Sequence, residues 1–143
     1  MTVDFEWLVP QHVSYARFYE EVTIADLEIS NSQVMSYARQ VPAPRSYHAV
    51  FDCLLTSKFP LQLSLLLQDK LSAYRSEPNL GYIIIVSTNS VIQLLGGIVL
   101  RLRSNRFQMV RTMSDGIGFL KEKDKHVDWR NASAKFAGKL WRK

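Results

Sequence analysis

The sequence is poor in cysteine and lacks a long apolar run. One cysteine, Cys53, occurs in 143 residues, which excludes an internal disulfide framework and a metal site built from several cysteines. The longest near-apolar stretch, Val91–Leu102, is too short to cross a bilayer. The first ten residues carry two acidic side chains and no basic one, which is not the pattern of a signal peptide. These absences predict a cytoplasmic domain that folds without disulfides.

Excess positive charge is absent from most of the chain. The formal net charge is +5, and residues 125–143 supply all of it, with six basic residues against one acidic residue. Residues 1–124 hold twelve of each and are neutral. Because a nucleic-acid-binding domain carries a basic patch on its folded surface, this distribution argues against nucleic acid as the partner. It also divides the chain into a neutral domain, residues 1–124, and a basic tail, residues 125–143.

The apolar pattern predicts strands that alternate with helices. The predicted strands are Phe5–Val9, His12–Glu20, Tyr47–Leu55, Gly81–Ser87 and Phe107–Met113. The predicted helices are residues 24–41, capped by Thr23 with Asp26, then Leu61–Tyr74, Val91–Arg103 and Ser114–Lys123. The order ββαβαβαβα predicts an α/β domain with a mixed, mostly parallel five-stranded sheet. The first hairpin forms its antiparallel edge, and right-handed crossovers place the helices mainly on one face.

The segment Tyr47–Phe119 resembles the STAS-like (anti-sigma-factor-antagonist-like) proteins, which occur as small standalone bacterial proteins. The similar features are the strand YHAVFDC, the stretch TSKFPLQLSLL, the phrase EPNLGYIIIVSTN and the final FQMVRTMSDGIGFL. With the leading hairpin and the first helix, the resemblance covers residues 3–122. It implies a five-stranded mixed sheet with helices mainly on one side, and a shape related to the CRAL-TRIO lipid-binding domain.

One segment departs from the family's signalling members. Those members carry an Asp-Ser-x-Gly segment at the start of the helix after this strand, and a partner kinase phosphorylates its serine. The corresponding stretch here, Lys58–Gln62, reads KFPLQ and holds neither serine nor glycine. The sequence therefore argues against a phosphorylation-switched antagonist of the standard type.

No motif of an enzyme or a metal site is present in the sequence. GxSxG, HExxH, P-loop and GxGxxG patterns are all missing. Cys53 lies inside a strand, where a small buried apolar role is expected rather than a nucleophile. His12, His48 and His126 each lack a second metal-type ligand at helical or strand spacing. We expect a non-enzymatic protein with no metal and no cofactor.

Hydroxyl and amide side chains follow the predicted parallel strands. In an open parallel sheet, ligands bind in the crevice beyond the carboxyl ends of the strands, and helix N-termini there attract anions. The candidate ligand-binding residues are Lys58, Ser87, Asn89, Ser90 and Ser114. The predicted loops after these strands are Thr56–Lys58, Ser87–Ser90 and Thr112–Asp115. Lys58 is the one cation in these three loops, so an anion site depends on it. The alternative is that Asn89 or Ser90, and Ser114, are ordinary helix caps.

The basic tail has the pattern of an amphipathic helix. Its apolar residues recur at spacings of three and four, and basic residues fill much of the remainder. The candidate partner-binding residues are Trp129, Phe136, Lys139, Leu140 and Trp141. The pattern favours docking on protein, in cis or in a homodimer, over contact with lipid or an anionic membrane surface.

These observations predict a protein-interaction module with a regulatory or scaffolding role. It would bind a protein partner or a second copy of itself through the second helix surface and the tail. The alternative is a carrier that holds a small lipid or apolar ligand under the helices. The wall of that site would be formed by Leu63, Leu67, Leu94, Leu95 and Ile98, with room provided by Gly96.

Overall fold

The computed structural model describes residues 3–42, 46–59, 80–94 and 106–131 of the chain. The strands are β1 (Val3–Val9), β2 (Val13–Glu21), β3 (Tyr47–Lys58), β4 (Leu80–Val86) and β5 (Phe107–Val110). The helices are α1 (Ile24–Gln40) and α2 (Met113–Lys123), and a 3-10 turn follows at Trp129–Asn131. Another helix begins at residue 90 and is described to residue 94; it is called the 90–94 helix below.

The described strands form one sheet in the order β1-β2-β3-β4-β5. β1 pairs antiparallel with β2, and each later pair is parallel. The turn between β1 and β2 passes through Gln11, whose φ is 62°. Because β2 to β5 run in the same direction, their carboxyl ends meet at one edge of the sheet and their amino ends at the other. The predicted mixed, mostly parallel five-stranded sheet is confirmed.

Both faces of the sheet are covered by apolar side chains of helices. On the first face, Val34 and Ala38 of α1 and Ile92 of the 90–94 helix pack against the sheet. These two helices connect parallel strands, so right-handed crossovers place them on the same face. Ile117 and Leu120 of α2 pack on the second face. α2 follows the last described strand and connects no strand pair in the described residues, so the crossover rule does not fix its side.

The beginning of α1 confirms the predicted capping box. The Thr23 hydroxyl accepts from the backbone N–H of Asp26 at 3.2 Å, and the Asp26 carboxylate accepts from the backbone N–H of Thr23 at 2.9 Å. These two bonds satisfy N–H groups that the first helical turn leaves without partners. α1 ends at Gln40, two residues before Pro42.

Two predicted boundaries are wrong. β3 continues to Lys58, so Thr56, Ser57 and Lys58 belong to the strand rather than to a loop. They stay in the sheet because β2 continues beside them, with Thr56 opposite Glu20 in the register. β5 ends at Val110 and α2 begins at Met113, with Thr112 rather than Ser114 as its N-cap. The Thr112 hydroxyl accepts from the backbone N–H of Asp115 at 3.0 Å, which fixes the start of the helix there.

Several predicted elements lie outside the described residues. They are the helix Leu61–Tyr74, the part of Val91–Arg103 beyond residue 94, and the tail beyond residue 131. Four of the candidate partner-binding residues therefore lie outside, namely Phe136, Lys139, Leu140 and Trp141. Most of the predicted carrier wall lies outside as well, namely Leu63, Leu67, Leu95, Gly96 and Ile98. Among the helices that the structure does describe, none is long and apolar enough to cross a membrane.

Candidate functional site

A crevice of about 550 Å³ lies at the carboxyl ends of β2, β3 and β4. This is the edge of the sheet where the sequence predicts a ligand site. Its walls come from the end of β2, the end of β3 with Phe59, the cap of α1 and the start of the 90–94 helix. Lys58 and Asn89 both line it. The structure thus brings together two of the five candidate ligand-binding residues.

The other three candidates lie outside the lining of this crevice. Ser87 is completely buried beneath it, and its hydroxyl accepts from the backbone N–H of Asn89 at 3.0 Å. Ser90 is exposed at the start of the 90–94 helix. Ser114 is exposed in the first turn of α2, which packs on the second face of the sheet. The five candidate residues therefore do not lie on one common surface.

Asn89 caps the 90–94 helix. Its Oδ1 accepts from the backbone N–H of Val91 at 2.9 Å and from that of Ile92 at 3.3 Å. The capping alternative considered from the sequence therefore describes Asn89 correctly. For Ser114 it is wrong, because the hydroxyl of Thr112 holds that position.

The end of β2 bends sharply beside the crevice. Glu20 has a φ of 45°, and the register of β2 against β3 shifts between Glu20 and Glu21. A left-handed backbone at a residue other than glycine costs on the order of 1–3 kcal/mol, so surrounding bonds must hold it. The Ser57 hydroxyl donates to the Glu20 carbonyl at 3.2 Å, and the Val22 backbone N–H donates to the Lys58 carbonyl at 2.9 Å. The bend places the acidic Glu21 and the basic Lys58 in the same crevice.

A buried carboxylate lies on the second face of the sheet. Asp52 is 1% exposed and accepts from the Tyr15 hydroxyl, from Arg17 Nε at 3.4 Å and from the backbone N–H of Leu54 at 3.0 Å. Arg17 Nε also donates to the Tyr15 hydroxyl at 2.9 Å. Burial, together with the neighbouring Asp52 carboxylate, raises the pKa of Tyr15. Tyr15 therefore remains a protonated donor, and the cluster joins β2 to β3.

A second buried polar group lies at the amino ends of the parallel strands. His48 is 2% exposed; its Nδ1 accepts from the backbone N–H of Tyr82 at 2.9 Å, and its Nε2 lies 2.8 Å from Asp124 Oδ2. Because Nδ1 accepts, the neutral ring carries its proton on Nε2 and donates it to Asp124. Burial lowers the pKa of His48 and outweighs the opposing effect of Asp124. Burial opposes ionisation of Asp124, yet the bonds from His48 and the His126 N–H lower the pKa of its carboxyl.

This group is not among the sites that the sequence predicts. The three histidines are isolated along the chain, but His12, His48 and His126 all line one cavity of about 760 Å³. No linear spacing connects residues so far apart in the chain. The available signal was the position of His12 and His48 at the starts of two predicted strands, which would be neighbours in the sheet. Among the residues with described positions, no cluster of His, Cys, Asp and Glu could hold a metal ion.

Two further residues that the sequence singles out, Cys53 and Trp129, lie in or against the apolar core. Cys53 is buried, and burial raises the pKa of its thiol to about 12, so it is not a thiolate at neutral pH. Val127 is buried on the second face, and Trp129 packs against the same cluster. Lys121 Nζ lies 5.8 Å from the centroid of the Trp129 ring. The first residues of the basic tail therefore dock on their own domain, and Trp129 contributes to that contact.

Comparison with known proteins reaches this chain through its fold. No protein-family model and no curated protein sequence matches it. Its structure is similar to the crystal structure of an uncharacterized protein of the DUF3478 family from Shewanella loihica PV-4, which is described as having a SpoIIAA-like fold. The two share 11% identity, and the match covers 82% of this chain and 91% of that one with a TM-score of 0.57. The chain therefore has a SpoIIAA-like, STAS-like α/β fold, as the sequence predicts.

We expect the burial of His48 to make stability depend on pH. In the unfolded chain a histidine titrates near pH 6.5, at about its reference value. Because the pKa of His48 is lower in the folded state, the unfolded chain takes up this proton first as the pH falls. We expect the free energy of unfolding to fall below about pH 6.5, by at most about 1.4 kcal/mol per pH unit from this residue. Urea unfolding between about pH 7.5 and 5.5 measures the slope.

The matched variant for this test is His48→Gln, which has no titrating ring. We expect its free energy of unfolding to vary less with pH in this window than that of the original chain, whatever its absolute value. The difference between the two curves isolates His48 from the other histidines. Parallel curves would show that His48 takes up its proton equally easily in both states.

Proposed function

We propose that this protein is a non-enzymatic protein-interaction module that binds its partner at the crevice and at the apolar rim beside it. The observation that carries the proposal is the exposure of two apolar side chains on the 90–94 helix. Val91 is 51% exposed and Leu94 is 65% exposed. Residues three apart lie on neighbouring parts of a helix surface, so the two form one patch. Val91 itself lines the crevice, next to the half-buried Phe59.

The charges of the crevice support a protein as the partner. Glu21 and Lys58 line the same crevice, so a bound anion would meet a carboxylate as well as an ammonium group. Mixed charge around an apolar centre is the usual composition of a protein interface, which has a polar rim and a less charged core. The crevice therefore suits a protein surface better than a small anion.

The buried ionisable groups support binding over catalysis. Asp52 accepts three hydrogen bonds from its own chain, and both ring nitrogens of His48 are engaged by Tyr82 and Asp124. A general acid or base must reach a substrate atom through a hydrogen bond. These two groups instead join neighbouring parts of the fold, which is a structural role.

Replacing the apolar patch should weaken association. We expect the double variant Val91→Ser, Leu94→Ser to lower the affinity for the partner about tenfold or more, because truncating a central interface side chain costs more than 1 kcal/mol. Sedimentation equilibrium measures this when the partner is a second copy. When the partner is a different protein, a photocrosslinking side chain at position 94, introduced in the host cell, captures it.

The matched control is Ile29→Ser on α1. Ile29 is 47% exposed, so this substitution removes a comparably exposed apolar side chain from another part of the surface. We expect this control to associate like the original chain and a crosslinker at position 29 to give no discrete product. If the double variant associates as tightly as the control and position 94 gives no discrete crosslinked product, the crevice is not the partner-binding site.

A further inference from the structure

An open cavity lies at the amino ends of the parallel strands, at the opposite edge of the sheet from the crevice. It measures about 760 Å³, within the range of small-molecule sites. Segments that are distant in sequence supply its walls, namely the β1–β2 turn, the starts of β3 and β4, the residue before β5 and the end of α2. We infer that this cavity binds a phosphate or sulfate group, either as the free anion or as part of a small phosphorylated molecule.

Four cationic or cation-forming side chains converge on this cavity. They are Arg106, Lys123, His12 and His126. A planar guanidinium binds two oxygens of such a group at once, and an ammonium or imidazolium adds a further charged donor. The lining therefore suits an oxyanion.

Backbone hydrogen bonds within the domain fix the positions of two of these residues, Arg106 and His12. The Arg106 carbonyl accepts from the Ile83 N–H at 2.9 Å, which ties it to β4. The His12 N–H donates to the Val9 carbonyl at 3.0 Å, and the His12 carbonyl accepts from the His48 N–H at 2.8 Å. A site built on fixed positions spends less free energy on ordering when it binds.

The negative charges near the cavity are already engaged. Asp124 is the one acidic residue in the lining among the described positions. Its Oδ2 accepts from His48, and its Oδ1 accepts from the His126 N–H at 2.9 Å. The Asp128 carboxylate interacts electrostatically with His12. It also accepts from the exposed Arg130, from Nε at 3.0 Å and from Nη2 at 3.2 Å. Among the described positions, Arg106 and Lys123 give the lining one more formal positive charge than Asp124 offsets.

The sequence offers a matched pair of arginines to test this site. Arg106 immediately precedes β5 and lines the cavity, whereas Arg111 immediately follows β5 at the other edge of the sheet and does not. Both are exposed. The variants Arg106→Gln and Arg111→Gln each remove one positive charge, at opposite ends of β5. Neither residue lines the crevice, so failure here leaves the proposed protein interface untouched.

The full chain is titrated with sodium sulfate, with sodium chloride of equal ionic strength as reference. Backbone amide NMR shifts at residues 46, 81, 106 and 126 should saturate with sulfate alone. Arg106→Gln and, separately, Lys123→Gln should weaken binding about tenfold, since each removes a charged hydrogen bond. Arg111→Gln should bind like the original chain.

A second titration with ribose 5-phosphate distinguishes the source of the anion. Tighter binding than sulfate assigns a phosphorylated small molecule, and equal affinity assigns the free anion. Shifts that rise linearly and equally with sodium sulfate and sodium chloride would overturn the inference. So would a sulfate affinity that neither Arg106→Gln nor Lys123→Gln lowers. Lys123→Gln keeps the test decisive if Arg106→Gln does not fold.

Discussion

Replacing Asp52 with alanine is expected to lower the free energy of unfolding by about 3 kcal/mol, because each buried donor left without its acceptor costs about 1–3 kcal/mol. Asp52 collects three donors, the Tyr15 hydroxyl, Arg17 Nε and the Leu54 N–H. Without the carboxylate, the buried Tyr15 hydroxyl and the partly buried Arg17 lose their shared acceptor. The Leu54 bond also lies at the shift of register between β2 and β3. Urea unfolding, followed by tryptophan fluorescence, measures the loss.

The chain contains an exposed counterpart of this interaction. The Tyr19 hydroxyl donates to Asp4 Oδ2 at 2.7 Å at the surface. Asp4→Ala removes a carboxylate from a tyrosine in the same way, but water can replace it, so we expect a cost below about 1 kcal/mol. Asp52→Asn should fall between the two, because its amide oxygen can still accept from Leu54. Equal costs for Asp52→Ala and Asp4→Ala would show that the buried cluster does not hold β2 to β3.

Most of the described fold could be predicted because its signals are local. The Thr23–Asp26 capping box and Pro42 bracket α1, and the apolar run in residues 83–86 is typical of a strand buried on both faces. The end of β3 could not be predicted in this way, since Thr56–Lys58 has the composition of a loop. These residues remain in a strand because β2 extends beside them. That pairing joins residues far apart in the chain, so local composition does not reveal it.

The two candidate sites also differ in how far the sequence could predict them. The crevice could be predicted, because the carboxyl ends of parallel strands converge in any sheet of this kind. The cavity lined by the three histidines could be predicted only in part. The strand starts bring His12 and His48 together, but the rest depends on the register that places Val13 opposite His48 and on where α2 ends at Lys123. The actual partner of His48 is Asp124, 76 residues away.

Gly81→Ala should lower the free energy of unfolding by about 3 kcal/mol. A Cβ at this position would lie 2.5 Å from His48 Nδ1 and 2.6 Å from His48 Cε1. The ring cannot simply move away, because it is buried and bonded at both nitrogens, to the Tyr82 N–H and to Asp124. Overpacking costs about 1–3 kcal/mol, and each buried bond lost adds about 1 kcal/mol. Urea unfolding measures the total.

The same substitution at Gly118 should have the opposite sign. Gly118 is exposed within α2, and nothing lies within 4 Å of a Cβ built there. Alanine is favoured over glycine inside a helix by up to about 1 kcal/mol, so Gly118→Ala should raise the free energy of unfolding. Because both variants add one methyl group, a difference in sign must come from the surroundings of each glycine. A Gly81→Ala protein as stable as the original, with the imidazole N–H signal of His48 unchanged in NMR, would contradict the close packing of Gly81 on His48.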